Sequence, residues 1–303
     1  MNIAIIHQNK YLQNMSKIAE SELILNPDGS IYHLNILPED IASTIITVGD
    51  PDRVASVSKY FDTIEVQKAK REFVTHTGTL NGKRITVLST GIGTDNIDIV
   101  FNELDALVNV DFKKRQVKEN LTQLDIIRIG TSGAIQADIP LDSFLISELA
   151  IGFDSLLHFY ESDDVLDSEI AEAFVKQTHW SPKKSIPYVV KANQQLIDQF
   201  SSEQTVTGFT ATNVGFYGPQ SRKIRLNVQD EKLNDKLAAF RHQDKKITNL
   251  EMETAGIYGL ANLLGHRSIS MNAIIANRPL GQFSKNPKKT VDQLIQYTLG
   301  KLA

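Results

Sequence analysis

The sequence predicts an α/β fold: a mostly buried, mixed central β-sheet with helices on both faces. Three observations predict it. Short runs rich in β-branched residues alternate with segments of helical periodicity. Four strand or helix boundaries carry glycine or acidic residues: GDPDR (49–53), STGIG (89–93), RIGTSGAI (128–135) and LEMETAG (250–256). No internal repeat, low-complexity linker or composition shift divides the 303 residues. The expected organisation is an N-terminal extension over 1–30 and one domain over 31–303, with a polar surface insertion at about 109–122.

The first clear strand is Thr44 to Val48. It ends in GDPDR, and a helix is expected from about Arg53 to Tyr60. Pro51 suits a helix start, where the missing N–H has no intrahelical partner to lose. EFVTHTGTLNGKRITVLST reads as a β-hairpin, because Asn81-Gly82 supplies the two positive-φ positions of a tight turn. A helix follows STGIG from about Asp95 to Val108. The strand Asp125 to Ile129 is expected to end in a GTSG turn. Further strands are expected near 143–148, 186–191, 204–212 and 268–276. A helix covers about 253–264, and an amphipathic helix about 287–302.

Composition bounds the function. Apolar residues make up 41% and charged residues 22%, ordinary values for a globular chain. A net charge of −4 leaves no excess of cations for a phosphate backbone, so no nucleic-acid partner is expected. No window approaches the roughly 18 apolar residues of a membrane span, so no membrane partner is expected either. The run Ile3 to Ile6 is too short for a signal peptide core. The chain has no cysteine, which removes disulfides, thiolate metal sites and cysteine nucleophiles and fits a cytoplasmic location.

In such sheets ligands bind at the loops beyond the strand ends. Arg128 interrupts the apolar strand LDIIRIG one residue before a glycine. A buried arginine requires a partner, either a bound oxyanion or an internal carboxylate. Glu251 and Glu253 stand at a helix start, where carboxylates also complement the helix dipole. In TNVGFYGPQSR (212–222) two aromatics sit in an irregular segment that closes on Gln220 and Arg222, two flat multidentate groups. There is neither a Walker loop nor a dinucleotide fingerprint. Singly, each motif also has an ordinary structural reading as a cap, a turn or a surface arginine.

Together and in order, YHLNI (32–36), GDPDRV (49–54), REF (71–73), STGIG (89–93), RIGTSGAIQ (128–136), FYGPQSR (216–222) and EMETAG (251–256) resemble the nucleoside phosphorylase family, in its uridine phosphorylase branch. The resemblance runs from about Ile31 to the C-terminus. It implies a three-layer αβα phosphorylase/hydrolase-like fold and a pentosyltransferase that cleaves a nucleoside with phosphate. Phosphate would be held by Gly49, Arg53, Arg128 and Thr131, with Arg71 reaching in from a neighbouring subunit. The neighbour's His33 would meet the ribose 5′-hydroxyl, so a homo-oligomer, a hexamer or a dimer, is implied. Ribose would sit on Glu251, Met252 and Glu253. Phe216, Gln220 and Arg222 would hold the base, and a pyrimidine-2,4-dione presents the edge that matches them.

The resemblance implies no organic cofactor and no catalytic metal; phosphate is a co-substrate. Some family members ligate a monovalent cation through a serine of the glycine loop. Here the corresponding neighbourhood is Glu72, Ile92 and Asn96, and that serine is replaced. Purine-cleaving relatives carry an aspartate where this chain has Asn277, which cannot act as the acid. The loop reads FYGPQ rather than FYPGQ, so its path is expected to differ. The rival readings are a purine nucleoside phosphorylase, a nucleosidase using water, and a non-catalytic nucleoside-binding protein on the same fold.

Overall fold

A computed structural model describes residues 17–302. Residues 1–16, the first part of the expected extension and the site of the Ile3–Ile6 run, lie outside the described residues. Among the described residues no helix is long and apolar enough to cross a membrane.

Strands β1 (Thr44–Val48), β2 (Thr63–Lys70), β3 (Phe73–Leu80), β4 (Lys83–Ser89), β7 (Asp125–Ala134), β8 (Phe144–Gly152), β9 (Tyr188–Lys191), β10 (Thr205–Thr212), β11 (Ile247–Glu251), β12 (Arg267–Asn277) and β13 (Gln282–Phe283) form one mixed sheet. The order is β13-β12-β8-β10-β11-β7-β1-β4-β3-β2, and β9 adds to β8. Strand β12 also pairs in parallel with β7, and β11 pairs with the far end of β7. Strands β7, β12, β8, β10 and β11 therefore close on themselves, while β1 to β4 extend from β7 as an open wing. The hairpin over β3 and β4 turns at Asn81 and Gly82, both at positive φ.

Helices cover both faces. Helices α2 (Thr94–Asn109) and α6 (Thr254–Leu263) bury Ile97, Phe101, Leu104 and Ile257 against Ile45, Leu88 and Ile126. On the opposite face α1 (Pro51–Ser58), α4 (Gln194–Phe200) and α7 (Pro287–Leu302) bury Val54, Phe200, Leu294 and Leu299 against Ile46, Ile127 and Ile269. Alternate residues of β1 and β7 thus face opposite layers, the pattern of a strand covered on both sides. Helices α3 (Ser168–Thr178) and α5 (Leu233–Ala239) add a third cluster around Phe174, Leu237 and Phe240.

Three local expectations need correction or refinement. Helix α1 begins at Pro51, with Asp50 accepting from Asp52 N, rather than at Arg53. The expected GTSG turn is strand: β7 runs on to Ala134 because β12 pairs with it along its whole length. Residues 110–117 form a small hairpin of β5 (Val110–Asp111) and β6 (Gln116–Val117). At its tip Arg115, at positive φ, donates to the carbonyls of Ile18, Ala19 and Leu23. The insertion therefore grips the segment that precedes β1.

Candidate active site

Strand ends converge on a cleft of about 750 Å³. Its wall includes Gly49, Arg53, Glu72, Ile92, Asn96, Arg128, Thr131, Phe216, Gln220, Arg222, Glu251, Met252 and Glu253. These are the sequence-predicted phosphate, ribose and base residues together with the candidate cation neighbourhood. His33 and Arg71 are not among the lining residues. His33 is held elsewhere, its Nδ1 2.6 Å from Glu103 Oε1, with its backbone N–H donating to the same carboxylate. Arg71 is exposed, at positive φ, just before β3.

At one end lie four charged groups. Arg128 is buried, and its side chain runs back over Gly130. A Cβ added at Gly130 would lie 1.9 Å from Arg128 Nη1, so this glycine is required by space and not by a turn. Arg128 Nη2 donates to Glu253 Oε2 at 2.6 Å and lies 3.1 Å from Glu251 Oε2. In this structure the partner of the strand arginine is a carboxylate pair. Replacing Gly130 with alanine is expected to push the guanidinium off these carboxylates, at a stability cost of about 1–3 kcal/mol. Urea denaturation, together with phosphate KM, checks it.

Helix α6 explains how the two glutamates are held. Glu251 Oε2 accepts from the backbone N–H of Glu253 and Thr254, the free donors of the helix start, and Oε1 accepts from Thr212 Oγ1. Glu253 is the residue before the first helical turn, and its Oε1 accepts from Gly93 N at 2.9 Å. Gly93, at φ 97, delivers that N–H, so the STGIG loop reaches the acidic pair. Burial raises the Glu253 pKa, Arg128 opposes the rise, and the charge on Glu251 adds to it.

Arg53 is the cation with donors to spare. Among the described residues its guanidinium has one hydrogen bond, a long one to Ile129 O at 3.3 Å. Burial and then the charge of Arg128 lower its pKa. Beyond these four groups Asp50 also lines the cleft and its charge acts on Arg53, which keeps donors free for an incoming anion.

At the other end the irregular loop presents a flat group. Arg222 stacks over the Phe216 ring, 3.8 Å from its centroid, and donates to Gln220 Oε1 and Phe216 O. Gln220 is buried within a 3₁₀ turn, Gly218–Gln220. The positive φ falls on Ser221 and not on Gly218, so the reversed Gly-Pro order places the left-handed residue after the glutamine.

One residue that the sequence reading left without a role is Arg278. Arg278 follows Asn277, and its side chain lies 3.9 Å from where a Cβ on Gly133 would stand. Its Nη1 is buried with no hydrogen-bond partner among the described residues; burial and the neighbouring Arg222 lower its pKa to about 10. An arginine inside ANRPL was the available clue. Asn277 itself does not line the cleft. Its amide donates towards the carbonyls of Gln136, Ala137 and Ile139, and Leu280 N donates to its oxygen. An aspartate here would set a carboxylate against three carbonyl oxygens.

A family model described as the phosphorylase superfamily matches residues 43–297. The chain belongs to the phosphorylase superfamily. Among relatives of this superfamily chain, the uridine phosphorylase of Thermococcus kodakarensis is 29% identical over 278 residues, covering 91% of this chain and 87% of the relative. That of Escherichia coli K12 is 29% identical over 253 residues, with coverage of 82% and 86%. A DeoD-type purine nucleoside phosphorylase from Listeria monocytogenes is 26% identical over 240 residues, with coverage of 79% and 84%. Among solved structures, a Trypanosoma brucei nucleoside phosphorylase described as showing uridine phosphorylase activity superposes with a TM-score of 0.81 at 28% identity. It covers 92% of this chain and 99% of that one. A uridine phosphorylase of Phytophthora capsici, at 21% identity and TM-score 0.67, shares the fold.

Proposed function

We propose that this phosphorylase-superfamily chain catalyses the reversible phosphorolysis of uridine to uracil and ribose 1-phosphate. The observation that carries the substrate is the cluster of Phe216, Gln220 and Arg222 at the end of the cleft opposite Arg53. A ring amide with two flanking carbonyls fits a carboxamide and a guanidinium held on an aromatic face. Gln220 and Arg222 bond each other, and a uracil edge would replace that bond.

Phosphate would enter beside Arg53 and Thr131. Glu253, fixed by Gly93 N and Arg128, would accept from the ribose hydroxyls, with Met252 against the sugar. Breaking the N-glycosidic bond builds positive charge on the ribose and negative charge on the base. Phosphate and the carboxylates stabilise the first, Arg222 the second, and the protein holds the reactants in line. We assign this chemistry to phosphate and side chains, with no organic cofactor. We further propose that the site is completed in a homo-oligomer by a neighbour's His33 and Arg71, since neither lines the cleft of its own chain.

Incubation with uridine, thymidine, cytidine, inosine and adenosine, each with and without phosphate, tests the reading. Uracil release from uridine that depends on phosphate is expected. Phosphate-independent release would sink phosphorolysis, and preferential cleavage of inosine would sink the pyrimidine assignment.

A further inference from the structure

We propose that Asn272, a buried residue outside the cleft, is a positioning residue for Arg128 and sets the affinity of the anion end of the site; this rests on the phosphorolysis proposed above. Asn272 lies on β12, beyond the ring of groups that any substrate could touch. Its Oδ1 accepts from Arg128 Nη1 at 2.9 Å. An arginine has only donors, so the amide must present its oxygen to the guanidinium. Its nitrogen is thereby turned inward, where it donates to Ser147 Oγ and Ser270 Oγ, each at 3.2 Å. Ser147 is in turn bonded to Thr210 Oγ1 at 2.5 Å, and Thr210 donates to Asn249 Oδ1. Ser270 Oγ also lies within reach of Arg128 Nη1, at 3.3 Å. All of these side chains are buried.

The members of this chain of polar groups could have been apolar at lower desolvation cost. Its effect is geometric. Glu251 and Glu253 pull one guanidinium nitrogen towards the ribose end. Asn272 and Ser270 hold the other, fixing the plane of the fork. Without Asn272 the guanidinium is free to rotate about its pair of carboxylates. The Nη2 bond to Glu253 remains, while the other nitrogen presents a less defined charge to an anion beside Arg53.

The test is steady-state kinetics of the full chain with uridine and inorganic phosphate. Asn272→Leu keeps the branched outline of the side chain, at a larger volume, and removes the acceptor. It is expected to raise the KM for phosphate about tenfold and to leave the KM for uridine within about twofold. In an Arg128→Lys background, which lacks the forked donor, the same substitution should change the phosphate KM less than about twofold, because the two changes act on one contact. An unchanged phosphate KM, equal rises in both KM values, or additive effects in the two backgrounds would each overturn the assignment. If the leucine variant does not fold, Asn272→Ser, which shortens the stem and weakens the contact, should show the same selective rise on phosphate. A wild-type enzyme whose rate does not depend on phosphate would overturn the proposed reaction and this assignment together. A phosphate-dependent wild type with an indifferent Asn272 variant overturns the assignment alone.

Discussion

Replacing Arg128 with alanine is expected to cost about 3–5 kcal/mol of stability and to lower kcat/KM for uridine by about 10²–10³-fold. The stability loss does not come from the lost hydrogen bonds alone. Glu251 and Glu253 are both buried, and Arg128 is the cation that stands between them. Removing it leaves two like charges facing each other out of water. One must then take up a proton, so Glu253 loses the charge proposed here to receive the ribose hydroxyls. Chemical denaturation of Arg128→Ala and of the double variant Arg128→Ala/Glu253→Gln separates the two effects. The second change should recover part of the stability and none of the activity. If the single variant is as stable as the parent, the carboxylate pair is not held by this arginine.

Arg222→Ala is expected to reduce kcat/KM for uridine by about 10²-fold with little change in stability. Arg222 is half-buried, it lies on Phe216, and it orients Gln220. Its removal takes the charge that would disperse onto the departing base and frees the amide of Gln220 to rotate. Arg222→Lys should not rescue the rate, because an ammonium cannot stack on the ring and bond the carboxamide in one plane. Comparison of both variants by initial rates and thermal melts checks this. A lysine variant with wild-type turnover would remove the planar stacking from the account.

Much of this site was legible in the sequence because charged or glycine residues stood where an apolar strand should have continued. Arg128 inside LDIIRIG and the glutamates of EMET were visible for that reason. What they bond was not visible, since the partners of Arg128 come from the junction of β11 and α6 and from β12, well over a hundred residues further along the chain. Gly130 was read as a turn residue because positive φ and steric room leave the same mark in a sequence. Only the path of the Arg128 side chain distinguishes them. The residues of FYGPQSR were legible, but the backbone was not, because Ser221 adopts the left-handed conformation that a glycine was expected to take. The closure of the sheet was also hidden: β12 pairs with both β7 and β8, and no local pattern marks a strand for two neighbours.

That double pairing bears on the order in which the chain acquires its shape during synthesis. Strand β7 leaves the ribosome long before β12, yet Arg128 finds Ser270 and Asn272 only across that pairing. Until then the first half of the protein carries a cation on a strand otherwise made for the interior. Contacts of such long sequence separation form late. Strands β2 to β4 are built from local hairpins and can mature first, while the end that holds Arg128 is assembled last, when the final third of the chain has emerged.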